Sequence, residues 1–233
     1  MARRPVYLPQ RTGHLLVRTE MVEFQWFAGM AVSQKQKSIS SLHEAAIMEG
    51  LCARPLEVSS KSMITTGIAL SAFNLSGISA KSGRAFTVET AFQSSKVFDG
   101  GGPFRDLLYG SSRDAKKDQR LQESGRLQYF DYFGDRWKLE PKTAFYDWLY
   151  IKTLARNEGL VDEVRGYDAF TDIEFNPERS INCQAYSLAL FKALQGRDLL
   201  VEALESKEIF LQVAGYENVS NACEDTSVQQ RLI

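Results

Sequence analysis

Read as one helix, residues 88–98 place Glu89, Gln93 and Lys96 at i, i+4 and i+7, so a carboxylate, an amide and an ammonium share one face beside Phe92. A carboxylate and an amine presented together suit general acid/base work at a C–N bond. The same spacing also describes a solvated polar stripe. A second group lies in residues 167–177, where Asp168, Asp172 and Glu174 alternate with aromatic and apolar residues. Carboxyls held against such groups have raised pKa values, and an acid poised near neutrality can protonate a leaving group. The plainer reading is an acid-rich edge strand. A third group runs from Trp26, within FQWF, into SQKQKS, which carries Lys35 and Lys37. Rings beside lysines suit a nucleotide, and a lysine packed on apolar surface can attack a sugar aldehyde to form a Schiff base. The rival reading is a basic helix start capped by Ser38. Ser59, Ser60 and Lys61 close a predicted strand with a hydroxyl-rich turn that can hydrogen-bond a pyrophosphate.

The elements that must hold these groups follow from periodicity. Apolar and β-branched clusters between turn signals predict strands over residues 6–8, 15–18, 22–26 and 56–59. Helical spacing predicts a helix over 38–48 that stops at Gly50, and core helices over 142–154, with Phe145, Trp148, Leu149 and Lys152 on one stripe, and over 181–194. The run Gly100, Gly101, Gly102, Pro103 lacks the Lys-Ser/Thr of a phosphate loop, so it is read as a helix cap and turn with a new short helix starting at Pro103. The polar residues 215–233 are expected to form a mobile tail after a domain spanning 1–214. The expected fold class is α+β, a single mainly helical domain with a small mixed or antiparallel sheet.

Composition narrows the functional classes. The chain has 233 residues, 44% of them hydrophobic, enough for a real core. Its longest uncharged stretch, residues 62–80, is broken by Thr, Ser, Asn and Gly, which excludes a membrane span there. Arginines near the start have no apolar run behind them, so no export signal is read and a cytoplasmic location is expected. Three cysteines without a C-x-x-C pair and two histidines predict free thiols and no metal, and no cofactor is called for. The formal charge of −1 excludes a bulk coat for nucleic acid. It hides a gradient, because residues 1–40 carry six basic groups against two acids and residues 198–233 carry seven acids against two bases. The basic front is where phosphates would be met lightly.

Leu70-Ser71-Ala72-Phe73, followed by Val88-Glu89-Thr90-Ala91-Phe92-Gln93-Ser94-Ser95-Lys96, resembles the L-S-N-F and E-x-x-x-Q-x-x-K signature of NADAR domains, with Ala72 where that family usually carries Asn. Trp137 is similar to the tryptophan before the family's next helix, and Asp168 and Asn182 to its late aspartate and the asparagine opening its last core helix. The runs SQKQKSI, LSAFNL, EPKTAFYDWLYI and AFTDIEFNPERSINCQA resemble the branch paired with DarT-type toxins, over roughly residues 5–214. Those toxins transfer ADP-ribose from NAD to guanine in DNA. The resemblance implies an antitoxin that hydrolyses the adduct, with ADP-ribosylated DNA and ADP-ribose as ligands and a cognate DarT-type toxin as functional partner. It assigns acid/base work to Glu89, ribose binding or water activation to Asp168 with Asp172 or Glu174 as deputies, and the covalent role to Lys35, with Lys37 and Lys96 as alternatives. Trp26, Phe73, Phe92 and Trp137 would stack rings, Ser59, Ser60 and Lys61 would lie near the diphosphate, and Ser71, Gln93 and Asn182 would complete the binding set. Two rivals stand beside it: a small-molecule N-glycosidase like riboflavin-pathway relatives, and a catalytically idle binder of the toxin or of ADP-ribose.

Overall fold

A computed structural model describes residues 1–177 and 180–216. The expected tail from 215 onward lies outside the described residues apart from its first two. The chain opens with a hairpin, β1 (Ala2–Pro9) and β2 (Val17–Phe24), then the helix α1 (Val32–Met48) and the short strand β3 (Pro55–Glu57). The predicted strands 15–18 and 22–26 are therefore one strand. The connection between β1 and β2 is held by Arg197, whose guanidinium donates to the carbonyls of Gln10, Thr12, Gly13 and Leu15. Helix α1 starts six residues before the predicted one, so Ser38 is not its cap. Ser38 lies buried in mid-helix and accepts from Phe27 N at 3.0 Å.

Next come α2 (Thr65–Ala69), the small hairpin β4 (Ser76–Ile78) and β5 (Ala85–Thr87), α3 (Val88–Ser94) and β6 (Lys96–Phe98). The predicted helix over 88–98 thus divides. Ser94 and Ser95 turn their hydroxyls back onto Ala91 O at 3.1 and 2.7 Å, which offers the backbone an exit from the helical ladder. Lys96, Val97 and Phe98 then pair antiparallel with β7 (Leu127–Tyr132). Lys96 is the first residue of a strand, and the glycine run follows that strand instead of a helix. Gly102, at φ +97°, presses on the Lys96 carbonyl where no side chain fits, and the following helical turn is a 3-10 turn over Arg105–Tyr109 that does not include Pro103.

Between them lie α4 (Ser112–Lys117) and α5 (Arg120–Glu123); β8 (Asp135–Trp137) completes a three-stranded antiparallel sheet β6-β7-β8. The helix α6 (Ala144–Leu154) is buried on nearly every side instead of on one stripe, and α7 (Glu158–Glu163) leads to β9 (Ala169–Thr171). The last helices are α8 (Gln184–Gly196), α9 (Leu200–Ala203) and α10 (Lys207–Val213). The main sheet has the order β2-β1-β9-β3, antiparallel except for the parallel pair β3 and β9. β9 is an inner strand, which corrects the edge-strand reading of the acidic cluster. The fold class is α+β. No described helix is long and apolar enough to cross a membrane.

One core packs α3, α6 and α8 with the rings of Phe92, Phe130, Phe145, Trp137 and Trp148; a smaller one lies between α1 and the main sheet. Two glycines differ sharply in their surroundings. A methyl group on Gly67 would run into the Glu57 carbonyl and the Ser62 hydroxyl, whereas Gly159, on α7, faces open space. Gly67→Ala is expected to lower stability by about 1–3 kcal/mol. Gly159→Ala should leave it unchanged or raise it by up to about 1 kcal/mol. Chemical denaturation of the two variants beside the parent chain checks both.

Candidate functional site

The parallel pair β3 and β9 ends on one side of the sheet, and the turns after these strands meet there, as ligand-binding turns do at the carboxyl ends of parallel strands. Residues 59–61 follow β3; Asp172, Glu174 and Phe175 follow β9. Facing them across a cleft of about 630 Å³ are Ser71, Ala72, Phe73 and Asn74, then Glu89, Phe92 and Gln93 of α3, Lys96 of β6, and Asn182 and Gln184 at the start of α8. Arg113 and Lys116 of α4 complete the wall.

The backbone of residues 70–72 is the junction of three helices. Tyr150 OH of α6 donates to Leu70 O at 2.7 Å, Ala72 N donates to Gln184 Oε1 of α8 at 2.7 Å, and Glu89 N of α3 donates to Ala72 O at 2.9 Å. Thr87 caps α3 through a reciprocal pair with Thr90. These bonds satisfy first-turn donors of α3 and fix Glu89, only 6% exposed, at the cleft wall. Glu89 Oε1 accepts from Gln93 Nε2 at 2.9 Å. Gln184 also hydrogen-bonds the Asp172 carboxyl, which in turn accepts from Glu174 N and Phe175 N at 3.0 and 3.2 Å.

Lys96 is 1% exposed, with Nζ 5.0 Å from the centre of the Phe92 ring. Burial lowers its pKa to about 8; Glu89 opposes that shift and Lys116 adds to it. A lysine with a pKa near 8 is neutral in roughly a tenth of molecules at pH 7, and the neutral form is the nucleophile. Two acceptor atoms in the cleft, Gln93 Oε1 and Asn182 Oδ1, are buried and find no donor among the described residues. Buried amide oxygens of this kind are costly unless a ligand supplies N–H or O–H groups. Lys61, Arg113 and Lys116 bring positive charge to the same cleft, with Lys116 5.2 Å above the Phe73 ring.

Behind the cleft a buried carboxyl network joins Glu57 to Asp172, which lines the cleft. Glu57 accepts from Ser59 Oγ at 2.6 Å, Thr171 Oγ1 at 2.7 Å and Ile173 N at 2.8 Å, and Thr171 is bonded in turn to His43 Nε2 at 2.8 Å. Burial lowers the His43 pKa to about 4, so the ring is neutral, and because the Thr171 hydroxyl gives its proton to Glu57, the tautomer that fits carries its hydrogen on Nε2. Burial and the neighbouring Asp172 raise Glu57, and burial above all raises Asp172. Two carboxyls so placed cannot both ionise cheaply, and they hold a proton near neutrality.

The cleft gathers Ser59, Ser60, Lys61, Ser71, Phe73, Glu89, Phe92, Gln93, Lys96, Asp172, Glu174 and Asn182 from the sequence-derived set. Lys35 stands at its rim, with Nζ 3.2 Å from Glu174 Oε1 and 5.0 Å from the Trp26 ring, while Lys37 is exposed on α1. Trp26 lies between Arg4 and Lys35. Asp168 sits at the opposite end of β9 from the cleft, where its carboxylate accepts from Ala53 N and Arg54 N, both at 2.8 Å. Trp137 is a core ring against Phe145 and Trp148 and lines a different cavity. Sequence reasoning missed Arg113, Lys116, Tyr146 and Gln184. The SRDAKK run is polar enough to pass for a solvated helix, and nothing local marks its face. Among the described residues no group of three His, Cys, Asp or Glu side chains is placed to hold a metal ion.

Fold and cleft together define an α+β protein with a polar site that joins a buried acid, a buried lysine and amide acceptors. A model of the DarT1-associated NADAR antitoxins matches residues 2–224, and the chain belongs to that family. The resemblance carried by LSAFNL and the Glu89, Gln93, Lys96 spacing thus holds at family level. Comparison with curated proteins finds no match.

The carboxyl pair has a consequence for stability. Glu57 and Asp172 bind their proton more tightly in the folded chain than in the unfolded one, so the stability they contribute is present at low pH and lost as pH rises through their raised folded values. From about pH 6 to pH 9, Glu57→Gln is expected to lose less thermal stability than the parent chain. Melting followed by circular dichroism across that range checks it.

Proposed function

We propose that this antitoxin is an N-glycosyl hydrolase that removes ADP-ribose from guanine bases in DNA. The observation that carries the reading is the meeting of Glu89, a buried lysine of lowered pKa and two orphaned amide oxygens in one cleft with a cationic wall. That set matches the parts of the substrate: cations for the diphosphate, amide acceptors for ribose hydroxyls or base N–H groups, rings for a base, and an acid and an amine for the C–N bond.

The chemistry runs as follows. The sugar ring opens to leave an imine between its C1 and the guanine nitrogen. Neutral Lys96 attacks C1; the guanine nitrogen takes one proton released by the lysine nitrogen and a second from Glu89, which the later hydrolysis gives back, and its bond to C1 breaks to release unmodified guanine. The lysine-bound iminium takes up water at C1, returns the amine and leaves ADP-ribose; the net change consumes one water. The raised Asp172 sits where it can hold a ribose hydroxyl or hand a proton to the leaving side. Lys96 takes the covalent role because it is buried beside Glu89's cleft wall, whereas Lys35 is ion-paired to Glu174. Asp168 is left out of the chemistry, since its carboxylate clasps the backbone before β3.

With a guanine-ADP-ribosylated oligonucleotide as substrate and product masses as readout, Glu89→Gln is expected to slow release by about 10²–10⁴-fold. Borohydride should trap a lysine adduct in the parent chain and none in Lys96→Met, while Lys35→Ala and Asp168→Asn keep most of the turnover. Turnover should rise with pH through about 8, where half of Lys96 is neutral. Survival of the adduct with the parent chain would end the DNA reading. Release of ADP-ribose from free nucleosides alone would point to a small-molecule glycosidase.

A further inference from the structure

A second cavity, of about 930 Å³, opens on the far side of the sheet β6-β7-β8 from Lys96's strand, between β7, β8, the start of α6 and α10. It is larger than the cleft and plays no part in the chemistry above. Its floor is apolar and aromatic, formed by Leu127, Trp137, Leu139 and Leu211. Its cations are Arg126, Arg136, Lys138 and Lys207, against two acids, Glu140 and Glu208. Four positive groups against two negative ones make a local surplus on a chain whose formal charge is −1.

Two of these cations are held in place. The Arg136 guanidinium lies 3.6 Å from the centre of the Tyr129 ring, and Lys207 Nζ donates to Arg136 O at 3.1 Å while also meeting Glu208 Oε1 at 3.5 Å. An arginine this close to a tyrosine ring offers a planar cation to a planar group, and a neighbouring ammonium supplies charge for a phosphate. Trp137 Nε1, buried, has no acceptor among the described residues. A flat heteroaromatic ring carrying an anionic linkage fits this combination, and the alternation of bases and phosphates in a single nucleic-acid strand repeats it.

Position ties the cavity to the cleft. Lys96 pairs with Phe130, and Phe130 with Trp137, so the two sites stand on the outer strands of one three-stranded sheet. Two strand spacings amount to about 10 Å. The backbones under the two sites are thus joined through two strand spacings of one sheet.

We infer that the cavity formed by Tyr129, Arg136, Trp137, Lys138 and Lys207 is a secondary site for single-stranded DNA flanking the modified base. The inference rests on the reading of the protein as acting on DNA, but its test does not use hydrolysis. Fluorescence anisotropy of a labelled, unmodified single-stranded oligodeoxynucleotide is measured with the full chain and with Arg136→Ala/Lys138→Ala, whose two side chains are exposed enough to leave the core untouched. The double variant is expected to bind about 5–20-fold more weakly and with a shallower salt dependence, since two phosphate-neutralising charges are gone. Arg136→Lys, which keeps the charge and loses the flat stacking face, should fall between, and an abasic strand of equal length should bind more weakly than the base-bearing one. Equal affinity of the double variant and the parent chain overturns the inference. So does equal binding of abasic and base-bearing strands, or a hexaglutamate peptide that displaces the oligonucleotide at equal concentration, which would mark an acidic protein partner. Loss of hydrolysis with these binding results intact would sink only the catalytic reading.

Discussion

The parallel pairing of β3 with β9 is the constraint on which the site depends. Register sets Leu56 against Phe170 and Glu57 against Thr171, so both strands end together and their following turns face one cleft. Pairing of these two strands in the opposite sense would place Ser59 and Lys61 at the far end from Asp172. The same register delivers Thr171 Oγ1 and Ile173 N to Glu57, a carboxylate with no access to water. Replacing a buried carboxyl's hydration with three donors is what makes the strand junction tolerable, and it also ties Glu57 electrostatically to Asp172.

A second set of bonds turns that junction into a closed cleft. Gln184 reaches both the Ala72 amide and the Asp172 carboxyl, so the start of α8 links the opposite walls. Through Ala72 O the same loop receives the first turn of α3, and through Leu70 O it receives α6. The walls are therefore positioned by backbone groups, which leaves the side chains of Glu89, Gln93 and Asn182 turned to the space between them. Acceptors without donors among the described residues are what a site prepared for a hydroxyl-rich ligand shows.

Electrostatics divides the molecule in the same way. The cleft mixes acids with cations, as a site must that both grips a diphosphate and moves protons. The cavity at β7 and β8 carries a surplus of cations over an apolar floor and, among the described residues, no buried acid, as suits a surface that only holds a ligand. One sheet supports both, with Lys96 at one edge strand and Trp137 at the other.

The helical pattern after residue 140, the α+β class, and the grouping of Glu89 with Gln93 were legible in the sequence because they depend on local periodicity and a single turn of helix. The acidic cluster was legible as chemistry but not as geometry. Asp168 and Asp172 lie four residues apart, and only the run of β9 between them shows that one clasps the backbone before β3 while the other enters the cleft. Lys96 lost its place on the helix because two serine hydroxyls compete for Ala91 O and a strand from residues 127–132 was there to pair with it. Arg113, Lys116 and Gln184 had no sequence signal, since what distinguishes them from solvated polar residues is which surface lies opposite. Residue types and local spacing determined which side chains can do acid/base and amine chemistry here. Strand order, burial and long-range hydrogen bonds decided which of them share a site, because pKa and reach depend on neighbours far away in the chain.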